Sequence, residues 1–361
     1  DFKPLYLHST SGFMYSNLLN FLFEKILFIR KHFKSYNNSN FNNYYKSFLQ
    51  QISKNIKLKN YTYKKVYLFK YLNSYLTNNL FFELSNLESF SIFYYNLIKK
   101  VEPSFIFSEQ SNLDAYILGE ISKIMHVKAM VISHGSHVKH TNEYSSLEWK
   151  YHKHALIGND YPYVASQTPY FHEFVKNQIN NTSKIIKTGP LIFDSYKLTK
   201  NKYNELRSKY FSNHNDKYVL LHASTPKFKS GYRPYVYETV DEYIDNLNQI
   251  IRAIDKLKKI YLVIKFRERF GFKLETLRSL LIKSDNYGIY TEGVFSEYIQ
   301  CCDCLISYSS TAIEQALLFN KPVILFGNDG RYFHIKEESE NSLKTLYCSK
   351  NEDNLLKNII Y

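Results

Sequence analysis

From Ser104 onward, apolar residues fall into short runs separated by stretches with helical spacing, and the alternation predicts strands and helices in turn. A strand is expected over 104–107 after Pro103, a helix over 114–125, and a second strand over 128–133 that ends at His134-Gly135. Strand, helix and strand make a βαβ unit, and a crossover of that length implies parallel strands. Short apolar runs at 155–158 and 163–166, a helix over 169–177 and a strand over 184–188 extend the pattern. After a charged and polar stretch at 195–216 the alternation restarts. Strands are expected at 218–222, 261–265, 287–290, 304–308 and 322–326, with helices at 240–257, 273–283, 295–301 and 312–319 between them. Five strands with four intervening helices describe a doubly wound domain. Residues 1–100 differ: a strand at 5–8, a loop at 9–12, helices at 17–31, 46–56 and 88–101, and an Asn-rich loop at 35–45.

The fold class expected is therefore α/β, with two Rossmann-like domains facing a cleft and a helix-rich N-terminal region. Residues 1–190 form the first domain, 191–216 the connection and 217–361 the second domain. Length agrees, since 361 residues exceed one compact domain and 44% are apolar, enough for two cores. No apolar run approaches the ~20 residues that cross a bilayer. The chain begins at Asp1 rather than Met, so an upstream segment is expected to have been removed. Cys301, Cys302 and Cys304 crowd together, with Cys348 apart, a spacing that suits neither a disulfide framework nor a zinc site. They read as small packing residues in a cytoplasmic protein.

The net charge of +14 changes the picture for the first hundred residues, where fourteen Lys and Arg face four Asp and Glu. A basic face suits an anionic membrane surface, a phosphorylated acceptor or nucleic acid. A scattered Lys surplus that only aids solubility fits equally.

The densest candidate chemistry lies in 303–327, DCLISYSSTAIEQALLFNKPVILFG. A strand ends in Ser309, Ser310 and Thr311, where hydroxyls and exposed N–H groups at a helix start can meet a phosphate. Glu314 follows in the first turn, placed to accept hydrogen bonds from a ribose. A capped helix without a ligand fits the same residues. This order of strand, Ser/Thr cluster, Glu-bearing helix, Lys-Pro and strand resembles the nucleotide-binding segment of GT-B glycosyltransferases. It is similar in particular to bacterial surface-polysaccharide enzymes that transfer Kdo, sialic-acid-type sugars or glycerol phosphate. The resemblance implies that Ser309, Ser310 and Thr311 hold donor phosphate and Glu314 the ribose.

In LVIKFRER, Lys265, Arg267 and Arg269 stand where related transferases carry Lys-x-His-Pro, with Phe266-Arg267 in place of His-Pro. Guanidinium groups there suit a diphosphate or a carboxylated donor. In LLHASTP, Ser224 and Thr225 occupy a turn that resembles a donor-phosphate contact, with Lys227 as a charge partner. His222 reads as a core histidine.

In the first domain, ISHGSH ends a strand in His134-Gly135 at the edge where parallel sheets bind ligands. In glycerol-phosphate polymerases and their relatives a similar His-Gly lies on the acceptor side. His134 is the leading general base, with Glu109 and Asp114 of SEQSNLD as rivals. SQTP at 166–169 and KTGP at 187–190 complete the resemblance, which spans about 103–327.

The resemblance implies a metal-independent glycosyltransferase needing no cofactor beyond its nucleotide-sugar donor, a CMP sugar first. The acceptor is a glycan or a lipid-linked glycan, reached in the cytoplasm or at the inner membrane face through the basic region. The alternatives are a polyol-phosphate transferase of the CDP-glycerol type, a GT-B-fold nucleotide-sugar 2-epimerase, and a basic nucleic-acid-binding protein. The last lacks any recognition motif, so nucleic acid is not favoured.

Overall fold

The computed structural model describes residues 81–111, 113–133, 142–150, 161–176, 183–191, 197–214, 216–224, 235–268, 272–327, 333–335 and 345–360, with single or paired positions at 47, 62–63, 66–67, 157, 193 and 226. For 62–63, 66–67, 81–88, 113–114 and 149–150 the description covers the backbone alone. The elements expected between 5 and 56 lie outside the described residues, apart from helical Ser47. Of the strand expected at 155–158 only Ile157 is described, and it is helical. Contacts divide the chain into two compact units, residues 1–129 with 160–162, and residues 130–159 with 163–361.

In the first unit, β1 (Thr62–Tyr63) pairs antiparallel with β2 (Val66–Tyr67), and α1 (Phe81–Val101) precedes β3 (Ile106–Ser108) and α2 (Leu113–Ile124). Tyr94 and Ile98 of α1 are buried, as are Ala115 and Ile117 of α2. The Tyr161 hydroxyl donates to the Ala115 carbonyl at 2.5 Å.

Then follow β4 (Ala129–Val131), α3 (Glu143–Lys150), β5 (Tyr163–Ser166), α4 (Pro169–Lys176) and β6 (Lys184–Lys187). A four-stranded sheet has the order β3-β4-β5-β6, with β4, β5 and β6 paired in parallel.

In the second unit, α5 (Lys200–Phe211) and a single 3-10 turn (Ser212–His214) lead into β7 (Tyr218–His222). The chain continues through α6 (Val240–Asp255), β8 (Ile260–Lys265), α7 (Leu274–Leu280), β9 (Tyr287–Tyr290), α8 (Phe295–Cys301), β10 (Cys304–Ser307), α9 (Ala312–Leu318), β11 (Val323–Phe326), β12 (Leu346–Ser349) and α10 (Glu352–Ile360). All six strands pair in parallel in the order β12-β11-β10-β7-β8-β9. The sheet has one strand more than the sequence pattern predicts. The added strand is Leu346–Ser349, which the sequence pattern does not announce.

Each strand serves two cores. Val219, Leu221, Val263, Leu305, Val323 and Leu325 pack on one face. Their neighbours Leu220, Leu262, Ile264, Ile306, Ile324 and Phe326 pack on the other. The period-two alternation of side chains makes a sheet covered on both faces read as unbroken apolar runs. Cys301 and Cys302 are free and buried in the first of these cores, and burial pushes the Cys301 thiol up to about 11.

Residues 191–216 are more than a connection. Thr199 caps α5 by accepting from Lys202 N at 3.3 Å, and Leu206 and Phe211 are buried in the sheet's core. Arg207 donates to the carbonyls of Cys301 (2.6 Å) and Lys217 (3.0 Å) and to Asp303 Oδ2 (3.1 Å). The helix escapes sequence reading because most of its positions are polar and few are buried.

Candidate functional site

The strand order sets the site. Numbering runs outward from β7 through β8 to β9, then returns to β10 on the other side of β7. Crossovers leaving β7 and β10 go to opposite sides, which opens a crevice at their carboxyl ends. His222 of β7 lies beside Ile306 of β10, so the turns that follow are neighbours. Ala223 N donates to the Ile306 carbonyl at 3.2 Å, and Ser307 Oγ donates to the Ala223 carbonyl at 2.7 Å. Ser224 and the group Ser309, Ser310 and Thr311, far apart in sequence, thus come to one sheet edge.

Their hydroxyls differ in what they do. Ser310 Oγ accepts from Ala312 N at 3.2 Å, just before α9. Ser309 Oγ and His334 Nδ1 share a hydrogen bond at 3.2 Å. Thr311 is half-buried and makes no capping bond through its side chain. Ser224 Oγ turns inward and donates to Glu238 Oε2 at 2.6 Å. The Ser224 hydroxyl therefore reaches a phosphate only if Glu238 releases it. Thr225 and Arg269 lie outside the described residues.

Glu314 is in the first turn of α9 and is 5% exposed. Its Oε1 accepts from Thr168 Oγ1 at 3.0 Å, within the SQTP turn after β5. The same turn organises the carboxyl edge of the first sheet. Gln167 Nε2 donates to the Ser133 carbonyl at 2.7 Å, and Thr188 N donates to the Ser166 carbonyl at 3.1 Å. SQTP, the start of KTGP and the residue before His134 are thereby laced together. His134 itself lies outside the described residues.

The remaining candidates have other partners or surroundings. Lys265 ends β8, but its Nζ donates to the carbonyls of Thr291 and Glu292, both at 2.9 Å, and lies 5.1 Å from the Tyr298 ring centre. Its charge serves the connection after β9. Arg267 is exposed two residues beyond β8. Glu109 is exposed at the end of β3, in the first unit, and Asp114 is at the start of α2, where only the backbone is described.

Sequence reading misses Glu238, the buried acid at the centre of the second-sheet edge. It accepts from Asn246 Nδ2 at 2.6 Å as well as from Ser224. Burial pushes its carboxyl up to about 7 against the pull of these two hydrogen bonds. The one local signal is the capping box of Thr239 and Glu242, which fixes where α6 starts and so where Glu238 points. His222 is also buried, and burial lowers it to about 3, so its ring is neutral at physiological pH. Among the described residues its Nδ1 has no hydrogen-bond partner.

No family model matches the chain, and no curated protein matches it in sequence. Solved structures resemble it in fold. A Listeria monocytogenes protein described as a candidate UDP-N-acetylglucosamine 2-epimerase aligns with a TM-score of 0.52 at 12% identity, covering 77% of this chain and 70% of that one. The UDP-GlcNAc 2-epimerase of Neisseria meningitidis, bound to UDP-GlcNAc, aligns with a TM-score of 0.51 at 12% identity, covering 77% and 72%. The fold is thus the two-sheet α/β fold of these structures.

Proposed function

We propose that the chain is a nucleotide-sugar enzyme that seats its substrate's diphosphate at the carboxyl ends of β7 and β10. The juxtaposition of Ser224 with Ser309, Ser310 and Thr311 at the switch point carries this reading. Thr311 and the backbone N–H groups of the two turns supply donors for the phosphates. Glu314 supplies an acceptor for ribose hydroxyls once Thr168 gives it up.

Of the possible reactions, epimerisation of the sugar comes first. The two solved structures of similar fold support it. Inverting a carbon that bears hydrogen breaks a C–H bond and remakes it from the opposite face. In D₂O, a nucleotide sugar such as UDP-GlcNAc should therefore gain deuterium at the inverted carbon with no acceptor present. Proton NMR reads this directly.

Transfer to a glycan or lipid-linked acceptor is the second reading, favoured by the ten-charge surplus of residues 1–100. On this reading His134, with Glu109 and Asp114 as alternatives, activates the acceptor hydroxyl, and the basic region meets an anionic membrane surface. Nucleotide release that requires an acceptor, without deuterium incorporation, would select it and reject epimerisation.

A further inference from the structure

Three chain segments at the carboxyl edge of the second sheet converge on one buried acid. Glu238 lies just before α6 and is 3% exposed. Its Oε2 is 2.6 Å from Ser224 Oγ, beyond β7, and its Oε1 is 2.6 Å from Asn246 Nδ2, on α6. Gly327, directly after β11, closes the group. A Cβ there would stand 3.2 Å from Glu238 Oε1, 2.9 Å from Asn246 Nδ2 and 2.8 Å from the ring of Tyr308, which follows β10. The φ of Gly327 is +141°, a backbone conformation open to glycine. Absence of a side chain at 327 is what lets the acid and both turns meet.

We infer that Glu238 is the positioning residue of the nucleotide site, setting through its own protonation which way the Ser224 hydroxyl donates. As a neutral acid it donates to Ser224 Oγ, and the serine proton is then directed at a bound phosphate. As a carboxylate it accepts that proton and withdraws it from the ligand. Between the two states the Glu238 O–H bond breaks and its proton passes to solvent, while the Ser224 O–H bond stays intact and only turns from the phosphate to the carboxylate.

Glu238 titrates within reach of neutrality because it is buried. Of the charged and titratable groups around it, Glu242 of α6 repels its charge, and the buried Tyr243 hydroxyl of the same helix is neutral. Tyr308 stands on the side of β10, and no cation is among the groups that shift Glu238.

The inference rests on the switch point being the nucleotide site, and the experiment separates the two. Calorimetric titration with UDP-GlcNAc, GDP-mannose and a CMP sugar covers pH 5.5 to 8.5. Neither the two diphosphate esters nor the CMP phosphodiester has a phosphate proton to lose in that range. For the ligand that binds, affinity should fall about tenfold as pH rises past neutrality, the worth of one hydrogen bond to a charged group. Glu238→Gln should hold the acidic-side affinity across the range, because its amide donates to Ser224 at every pH. Ser224→Ala should bind weakly and without pH dependence, and it tests the same point should the glutamine variant fold poorly. Binding in which Glu238→Gln or Ser224→Ala keeps the wild-type pH profile overturns the inference alone. Absence of binding by all three ligands overturns the nucleotide reading and the inference with it.

Discussion

Thr168 Oγ1 donates a hydrogen bond to Glu314 Oε1 across 3.0 Å, joining the turn after β5 to the first turn of α9. The same hydroxyl accepts from Phe171 N at 3.1 Å, in the manner of a helix cap. One threonine thus starts α4 and occupies the carboxylate assigned to the ribose. A nucleotide that takes Oε1 must compete with it.

Replacing Thr168 with valine therefore has two opposed effects. Loss of the cap and of the bond to a buried carboxylate should lower stability by about 1–3 kcal/mol, read by urea unfolding. Nucleotide affinity, corrected for folded fraction, should rise, because the competitor for Glu314 is gone. Thr168→Ser should leave both near wild type.

Gly327→Ala places a methyl group among Tyr308, Asn246 and Glu238 at a φ of +141°. Strain and overpacking together should cost about 2–4 kcal/mol. A denaturant midpoint unchanged from wild type would mean that Gly327 does not close this cluster.

Glu238 and His222 bias stability in opposite directions with pH. Glu238 has a folded value of about 7 against an ordinary 4.5, so the folded state keeps a proton that the unfolded state has lost. Its contribution is full below 4.5 and is lost as pH rises toward 7. His222 has a folded value of about 3 against an ordinary 6.5, so the unfolded state takes up the extra proton and stability falls as pH drops below 6.5. Glu238→Gln removes the first effect alone. Its stability relative to wild type should climb between pH 5 and pH 8, as measured by unfolding at each.

Arg207→Ala should cost about 2–4 kcal/mol, because it strips two carbonyls of their donor and leaves Asp303 without its guanidinium partner. Asp303 also accepts from Val219 N at 2.7 Å, so the loss reaches the start of β7. Arg207→Lys should recover little, since one ammonium cannot reproduce the fork. Guanidinium unfolding checks both variants.

The sheet strands were legible because each is a short apolar run between turn residues, and Tyr163–Ser166, Tyr218–His222 and Tyr287–Tyr290 fall on the predicted bounds. Helix Phe295–Cys301 does too. The hydroxyl-rich turns at Ser224 and Ser309 to Thr311 were legible as strand ends, and parallel topology brings strand ends together. Glu238 was not legible, since only packing of α6 onto the sheet turns it toward Ser224, fourteen residues away. Lys265 misleads for the complementary reason: its position at a strand end is visible, but the carbonyls of Thr291 and Glu292 that claim it are not. Helix α5 and strand β12 carry too few apolar residues to declare themselves.

Thermal unfolding with UDP-GlcNAc, UDP, CMP, CDP, GDP and a short oligonucleotide reports directly on whether the chain binds a nucleotide. A ligand held at a hundred times its Kd adds about 2.7 kcal/mol to the folded state. One nucleotide class should raise the midpoint, and Glu314→Gln and Thr311→Val should each reduce the rise. A midpoint moved by the oligonucleotide and by no nucleotide would contradict it.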